Sequence, residues 1–444
     1  MGNNKLWAKD NTQNKDIAAL IEQFTVGNDR DFDVLLAKYD IMGNKAHVAM
    51  LNKIGFITNE ENTAIQKELD EMYVLAKDNS LLIEDGIEDI HSQIEFNLTQ
   101  KLGDSGKKIH TGRSRNDQVL LDLKLFLRTE VLEIAQLTKD FFNTLMQLSE
   151  KYKDVLMPGY THYQIGMPSS FGLWFSAFAE SLSDDLELLT AALNVVSKNP
   201  LGSGAGYGSS FPLDRDFTTK ELGLKEMNIN SIYAQMTRGK SEKMVGVAIS
   251  SIAATISKLS NDICLFSNQN FDFFSFPTEI TTGSSIMPHK KNPDVFELIR
   301  AKSSRIQAVP NELTLLMNNL FTGYNRDYQL TKEIIFPAIN DVKACLGILN
   351  TVLLHIKISE NILENEKYNY LFTVEKINEL VLSGKSFRDA YREVGNSIED
   401  NTYHYERKNL NHTHKGSIGN LCLDEIKTKF NQKFQVFNET IRHD

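Results

Sequence analysis

Three long stretches of this chain, residues 1–157, 213–276 and 338–444, contain no proline. Proline removes a backbone donor and clashes inside a helix, so its absence leaves room for unusually long helices. The apolar residues use that room. From Asp117 to Lys151 they fall at Leu120, Leu123, Leu127, Val131, Ile134, Phe141, Leu145 and Leu148, in steps of three, four and seven that mark one amphipathic helix. At 1.5 Å per residue it would run roughly 50 Å. Met244, Val247, Ile252, Ile256, Leu259 and Ile263 predict a second long helix, apolar on more than one face. Alternating strand patterns are scarce and no repeat or Rossmann-type unit is present, so the fold class expected is all-α. Helices of this length expose more apolar surface than one chain easily covers, which predicts an oligomer.

A turn cluster at residues 103–106 and a polar stretch at 361–369 divide the chain. The divisions expected are an N-terminal helical domain (1–111), a central long-helix bundle (112–362) and a small C-terminal helical domain (363–444). A formal net charge of -10 with no basic block argues against nucleic acid as a partner. Residues 155–179 carry no Asp, Glu, Lys or Arg. Pro158, Pro168, Thr161, His162 and Gln164 interrupt them too heavily for a membrane span, so they read as buried interior or an active-site wall. Cys264, Cys345 and Cys422 are widely spaced and form no CxxC pair, which predicts reduced thiols in a cytoplasmic protein. The first residues lack the apolar run of a secretory signal.

Four segments break the helical pattern with residues that can do chemistry, each at an end of a predicted long helix. In HTGRSRND (His110–Asp117), Arg113 and Arg115 offer two guanidinium forks and Asn116 an amide, a set suited to a carboxylate-bearing ligand. The alternative is a capped helix N-terminus with solvated arginines. In PGYTHYQ (Pro158–Gln164), His162 is of the residue type best suited to proton transfer near neutral pH, or else is a satisfied core residue. PLGSGAGYGSS (Pro200–Ser210) fits neither GxxxxGK[ST] nor GxGxxG and reads as a close-packed loop. TTGSSIMPHKKNPD (Thr281–Asp294) packs paired serines, paired lysines and two prolines into one short stretch. His91 and Glu95, four apart, have metal-ligand spacing but no evident third ligand, so no metal is expected. His404, His412 and His414 read as a solvated face.

Together these segments resemble the fumarase/aspartase superfamily. GSSIMPHKKNP matches the pattern GSSxMPxKxNP, while HTGRSRNDQ, GYTHYQ and YNRDYQLTKE (Tyr324–Glu333) resemble its argininosuccinate lyase branch. The resemblance runs from about residue 24 to the end. It departs at LWAKDN, where LWGGRF is usual, at TVGNDRDFD, where a substrate-contacting serine is not recognisable, at His289 for Gln and at Tyr391 for His.

The resemblance implies a three-domain fold whose long central bundle is completed by tetramerisation, with active sites shared between subunits. It also implies a reversible β-elimination in arginine biosynthesis, needing neither metal nor organic cofactor. A proton leaves the carbon beside a carboxylate, a doubly charged aci-carboxylate forms, and the C–N bond of argininosuccinate breaks to give arginine and fumarate. Cations and N–H donors must stand where that charge develops. By the same carry-over, Ser284 abstracts the proton when its loop closes, His162 assists, and Glu297 orients His162. Lys290 and Asn292 face the developing charge. Asn116 and Thr161 bind the succinyl part, and Tyr324, Gln329 and Lys332 contact the substrate. Arg113 and Arg115 share the matched motif with roles open. The residues alone nominate His162 as base and the resemblance nominates Ser284, so the division of acid and base between them stays open. Competing readings are another fumarate-releasing lyase of the superfamily, acting on adenylosuccinate, malate or aspartate, and an inert, crystallin-like structural tetramer.

Overall fold

The computed structural model describes residues 15–78, 80–359, 361–405, 410 and 412–441. The LWAKDN segment lies outside them. Helices of ten residues or more are numbered here in chain order. The N-terminal part carries α1 (Lys15–Val26), α2 (Ala37–Lys53), α3 (Asn59–Lys77) and α4 (Ile90–Leu102). The centre carries α5 (Arg115–Lys151), α6 (Phe171–Val196), α7 (Lys240–Phe266), α8 (Asp294–Leu316) and α9 (Thr331–Val352). After them come α10 (Thr373–Leu382), α11 (Phe387–Glu399) and α12 (Leu423–Ile441). The longest paired strands among the described residues are β1 (Leu156–Thr161) and β2 (Gln164–Ser170), an antiparallel hairpin between α5 and α6. The all-α expectation holds.

Helix α5 is 37 residues long, and all eight apolar positions that announced it are at most 3% exposed. All but Leu120 belong to one core that α5 shares with α6, α7 and α9. Helix α7 is apolar almost all round, as its sequence says, but its inward stripe runs through Val245, Ala248, Ile249 and Ile252, leaving Met244 and Val247 half-buried at the flank. Even Lys124, midway along the buried side of α5, is sealed in; its Nζ donates to the Val195 carbonyl at 3.2 Å and to Asn228 at 3.0 Å. Helix α9 is apolar enough in composition to suit a membrane, yet its Ile335, Phe336, Ile339, Val342 and Leu346 are buried in the bundle.

A second core, from Ala37 to Ile109, joins α2, α3 and α4. The glycine cluster at its end is not an open turn. Residues 104–107 form a short helix pressed on α4, and a Cβ on Gly106 would stand 2.5 Å from the Leu98 carbonyl. A third, small core joins α10 and α11 through Ile377, Ala390 and Val394. Helix α12 leaves that pair and returns to the bundle. Its Phe430 stacks on Phe142 with ring centres 3.8 Å apart, and Lys433 meets Asp184 and Glu187 on α6. His412 is not part of a solvated face: its ring nitrogens lie 2.9 Å from Ser417 Oγ and 3.0 Å from Glu375 Oε1, while His404 and His414 are exposed.

Candidate active site

The first turn of α5 organises the site. Ser114 caps it, accepting the Asn116 N–H at 3.2 Å, and Asp117 reaches back to the Ser114 N–H at 3.0 Å. The other Asp117 oxygen accepts the N–H groups of Gly202 and Gly204, each at 2.9 Å. The glycine-rich segment is therefore tied onto the helix start as a close-packed loop. Its Gly202, Gly204, Gly206 and Gly208 all have positive φ, from +60° to +106°, a conformation that disfavours any other residue.

Asn116 and Arg115 open onto a cavity of about 180 Å³ shared with Tyr324, Gln329 and Lys332. Around it the polar groups are already engaged. Arg115 donates to Gln118 at 3.0 Å and Ser92 at 3.3 Å, with Asp89 3.7 Å from its Nε. Gln329 and Arg326 donate to the last carbonyls of α1, at Thr25 and Val26, which moors that helix to the cavity rim. Lys332 Nζ sits between Asp29 at 2.5 Å and Asp33 at 2.6 Å. Burial and the neighbouring Asp33 charge raise the Asp29 carboxyl above its ordinary value despite that lysine. Arg238, which the sequence did not single out, also lines the cavity; it lies 3.3 Å from the buried Glu242 and donates to the Tyr328 carbonyl.

Behind Asn116 lies a buried polar layer. His91 Nδ1 is 3.1 Å from Asp40 and 3.3 Å from Asp122, and Asn44 and Gln118 donate to Asp40. Glu95, four residues along from His91, faces Arg115 at 4.0 Å. Burial pushes the Asp122 carboxyl well up, helped by the Asp40 charge, whereas His91 and Arg113 overcome burial at Asp40 and hold it down. Arg113 turns into this layer and donates to Asn44 at 2.6 Å, so of the two matched arginines only Arg115 lines the cavity. The capped-helix alternative thus holds for Ser114, but neither arginine is merely solvated. His47 donates from Nε2 to the Thr111 carbonyl, and burial with the nearby Arg113 charge lowers its pKa to about 3; His110 falls to about 4 for the same reasons. Both rings are neutral donors or acceptors near pH 7.

The remaining site residues stand on projecting segments. His162 and Tyr163 form the two-residue tip of the β1–β2 hairpin, with φ of 54° and 58°. That is the backbone of a type I′ turn, which normally asks for Asn or Gly. His162, Tyr163 and Thr161 are all exposed. The segment expected to be interior or an active-site wall is interior at its flanks, where Met157, Phe171 and Phe175 are buried, while its tip faces outward. The Thr281–Asp294 segment is a loop pinched at its base, where Thr282 and Asn292 exchange backbone hydrogen bonds of 3.1 and 2.8 Å. Beyond the neck Ser284 Oγ accepts the N–H groups of Ile286 at 3.4 Å and Met287 at 3.2 Å, and Lys290 is exposed. Glu297 is exposed on the first turn of α8. Within one chain, neither His162 nor Ser284 lines the cavity at Asn116.

A family model described as "Lyase" matches residues 12–308. The argininosuccinate lyase of Bacteroides fragilis (strain YCH46) is 53% identical across 98% of this chain and 96% of its own length. That of Thermotoga neapolitana is 38% identical across 88% and 97%. The chain belongs to the argininosuccinate lyase family. Two solved structures share its fold: EDDS lyase in complex with formate, 21% identical with a TM-score of 0.77 over 94% of this chain and 92% of that one, and class II fumarase from Schistosoma mansoni, 16% identical with a TM-score of 0.69 over 93% and 95%.

As a member of the argininosuccinate lyase family, the chain is a carbon–nitrogen lyase. Its structure gathers Asn116, Arg115, Tyr324, Gln329 and Lys332 at one cavity. Thr161 and His162 sit on the hairpin, and Ser284, Lys290, Asn292 and Glu297 sit on or beside the loop. Asp40, Asp122 and Arg238 escaped the reading of the sequence. Asp122 could have been found, because it is a carboxylate beside the apolar stripe of α5 and within two turns of the HTGRSRND motif.

Proposed function

We propose that the protein cleaves argininosuccinate reversibly to arginine and fumarate, acting in the cytoplasm in arginine biosynthesis as a homotetramer with shared sites. The proton leaves the carbon beside a succinyl carboxylate, and its electron pair passes into the aci-carboxylate. That pair then forms the C=C bond of fumarate as the C–N bond breaks, and the departing guanidino nitrogen takes up a proton. Ser284 and His162 carry the proton transfers, with Glu297 orienting His162. Lys290 and Asn292 face the aci-carboxylate, and Asn116 and Thr161 hold the succinyl group. Tyr324, Gln329, Lys332 and Arg115 meet the rest of the substrate. Here Lys332 would act through an ammonium already held by Asp29 and Asp33. The domains follow the divisions 1–111, 112–362 and 363–444; three core clusters support them, although Leu36, Tyr39 and Ala46, residues 363–372 and α12 pack into the central one.

One observation carries the shared-site reading. The groups suited to binding line a cavity of this chain, while the groups suited to proton transfer stand apart from it, exposed His162 on a strained hairpin tip and half-buried Ser284 on a necked loop. A site needs both, so the missing set comes from neighbours in a closed assembly. The activity is tested by following fumarate absorbance with argininosuccinate, adenylosuccinate, malate and aspartate side by side, with and without EDTA. Fumarate from argininosuccinate, unchanged by EDTA, is the expected result; fumarate from adenylosuccinate alone would sink the assignment.

A further inference from the structure

The His162 hairpin also borders a second cavity, of about 500 Å³, distinct from the one at Asn116. Its walls are Tyr160 on β1, Trp174 on α6, and Phe266 and Phe271 at and beyond the end of α7. Tyr160 meets Phe271 at 69° and Trp174 meets Phe266 at 63°, while Tyr160 and Phe266 are tilted by 33°, so the four rings border the cavity without forming one stack. One carboxylate, Asp262, is set into this aromatic wall, and no lysine or arginine lines it. Asp262 Oδ2 accepts the Trp174 Nε1–H at 3.2 Å. Its Oδ1 has no hydrogen-bond partner among the described residues. Lys258, exposed and one turn earlier on α7, is the nearby cation that tempers its charge. Burial still pushes the Asp262 carboxyl above its ordinary value, the mark of a carboxylate short of a counter-charge.

A carboxylate ringed by aromatic faces recognises an organic cation. A guanidinium fits it better than an ammonium. It is planar, it is weakly hydrated so that entering the cavity costs less, it stacks on aromatic faces, and its paired N–H groups match a carboxylate with open acceptor sites. We propose that this cavity is a binding site for an alkylguanidinium cation, its head against Asp262 and Trp174, and that free arginine occupies it. The choice of arginine rests on the reaction proposed above; the guanidinium preference rests on the cavity alone. Because His162 and Tyr163 form part of the same lining, an occupant sits against the segment that carries the proton-transfer histidine. The site gives the product a route to the hairpin.

Trp7 and Trp174 are the only tryptophans, so the Trp7→Phe protein leaves Trp174 as the sole indole reporter. Titrating that full-length protein with L-arginine and with methylguanidine should give a saturable change in fluorescence. L-citrulline, with the same shape but no charge, should bind at least tenfold more weakly. Asp262→Asn should weaken arginine at least tenfold while leaving fumarate release at low arginine unchanged. No saturable change, citrulline binding as tightly as arginine, or unaltered affinity in Asp262→Asn would each overturn the proposal. The arginine and citrulline comparison needs no change at Asp262, so it decides the matter even where that variant does not fold. A failed fumarate assay with intact guanidinium binding would count against the reaction and not against this site.

Discussion

The cavity at the head of α5 and the two projecting segments are built on opposite terms. Around Asn116 the charges and amides have partners: Lys332 between two aspartates, Arg115 against Gln118, Ser92 and Asp89, and the Gln329 amide on the end of α1. Such groups are ordered before a ligand arrives, so binding costs little further side-chain entropy. The hairpin tip and the Ser284 loop are the reverse, exposed and held by few bonds, with two left-handed residues costing on the order of 1 kcal/mol each. The difference teaches that the cavity's groups are fixed before a ligand arrives, while those of the hairpin and the loop, on the reading proposed above, are fixed only by a neighbouring chain.

The sharpest way to break that contrast is to mix two inactive variants, His162→Asn and Ser284→Ala, by unfolding and refolding them together. If each site draws its hairpin and its loop from different chains, random mixing restores about a quarter of sites, raising activity by on the order of 10² or more over either parent. Activity no higher than the parents', in tetramers shown by mass to be mixed, would return both segments to one chain.

Next in size is Lys290→Met. The exposed ammonium should matter chiefly as the aci-carboxylate forms, lowering kcat by on the order of 10²–10³ with the unfolding temperature unchanged. Near-normal turnover would place the charge stabilisation elsewhere. Asp117→Ala attacks the opposite region. It frees the N–H groups of Ser114, Gly202 and Gly204 and should lower stability by roughly 3 kcal/mol, seen as an earlier unfolding transition. A variant that unfolds like the parent would show that the glycine loop is held by other contacts.

The smallest effect is a pH dependence confined to the buried side. His47 has a folded-state pKa of about 3 against 6.5 for a free histidine, so the unfolded chain takes up the proton first. Its contribution is full above pH 6.5 and is lost as pH falls towards 3. Between pH 6.5 and 4 the stability difference between the parent and His47→Gln should shrink by up to about 3 kcal/mol. A pH-independent difference would mean that His47 is already charged in the fold.

What the sequence made legible was local. The stripe from Leu120 to Leu148 is a repeat within one helix, and the turn chemistry of residues 200–208 is written in its glycines; both survive unchanged. Placing His91 was not possible, because its partners Asp40 and Asp122 come from two other helices and no spacing rule links residues 40, 91 and 122. The same holds for His412, whose partner Glu375 is 37 residues away. The matched motifs did find residues that the fold brings to one cavity, among them Asn116 and Gln329, although more than 200 residues separate them. They did not reveal that Arg113 and Arg115, two positions apart, point into different environments.

The tether from Asp117 to Gly202 and Gly204 bears on how the chain is made. Those glycines lie 85 and 87 residues downstream. At roughly 5–20 residues per second, a ribosome delivers them about 4–17 s after Asp117. Through that interval the first turn of α5 has its Ser114 cap but no clamp, and the cavity wall at Asn116 has no fixed floor. Nascent chains stalled before residue 200 should therefore exchange amide hydrogens at residues 114–118 freely, and chains stalled well past 210 should protect them. The longest helix of the protein is finished at its beginning last.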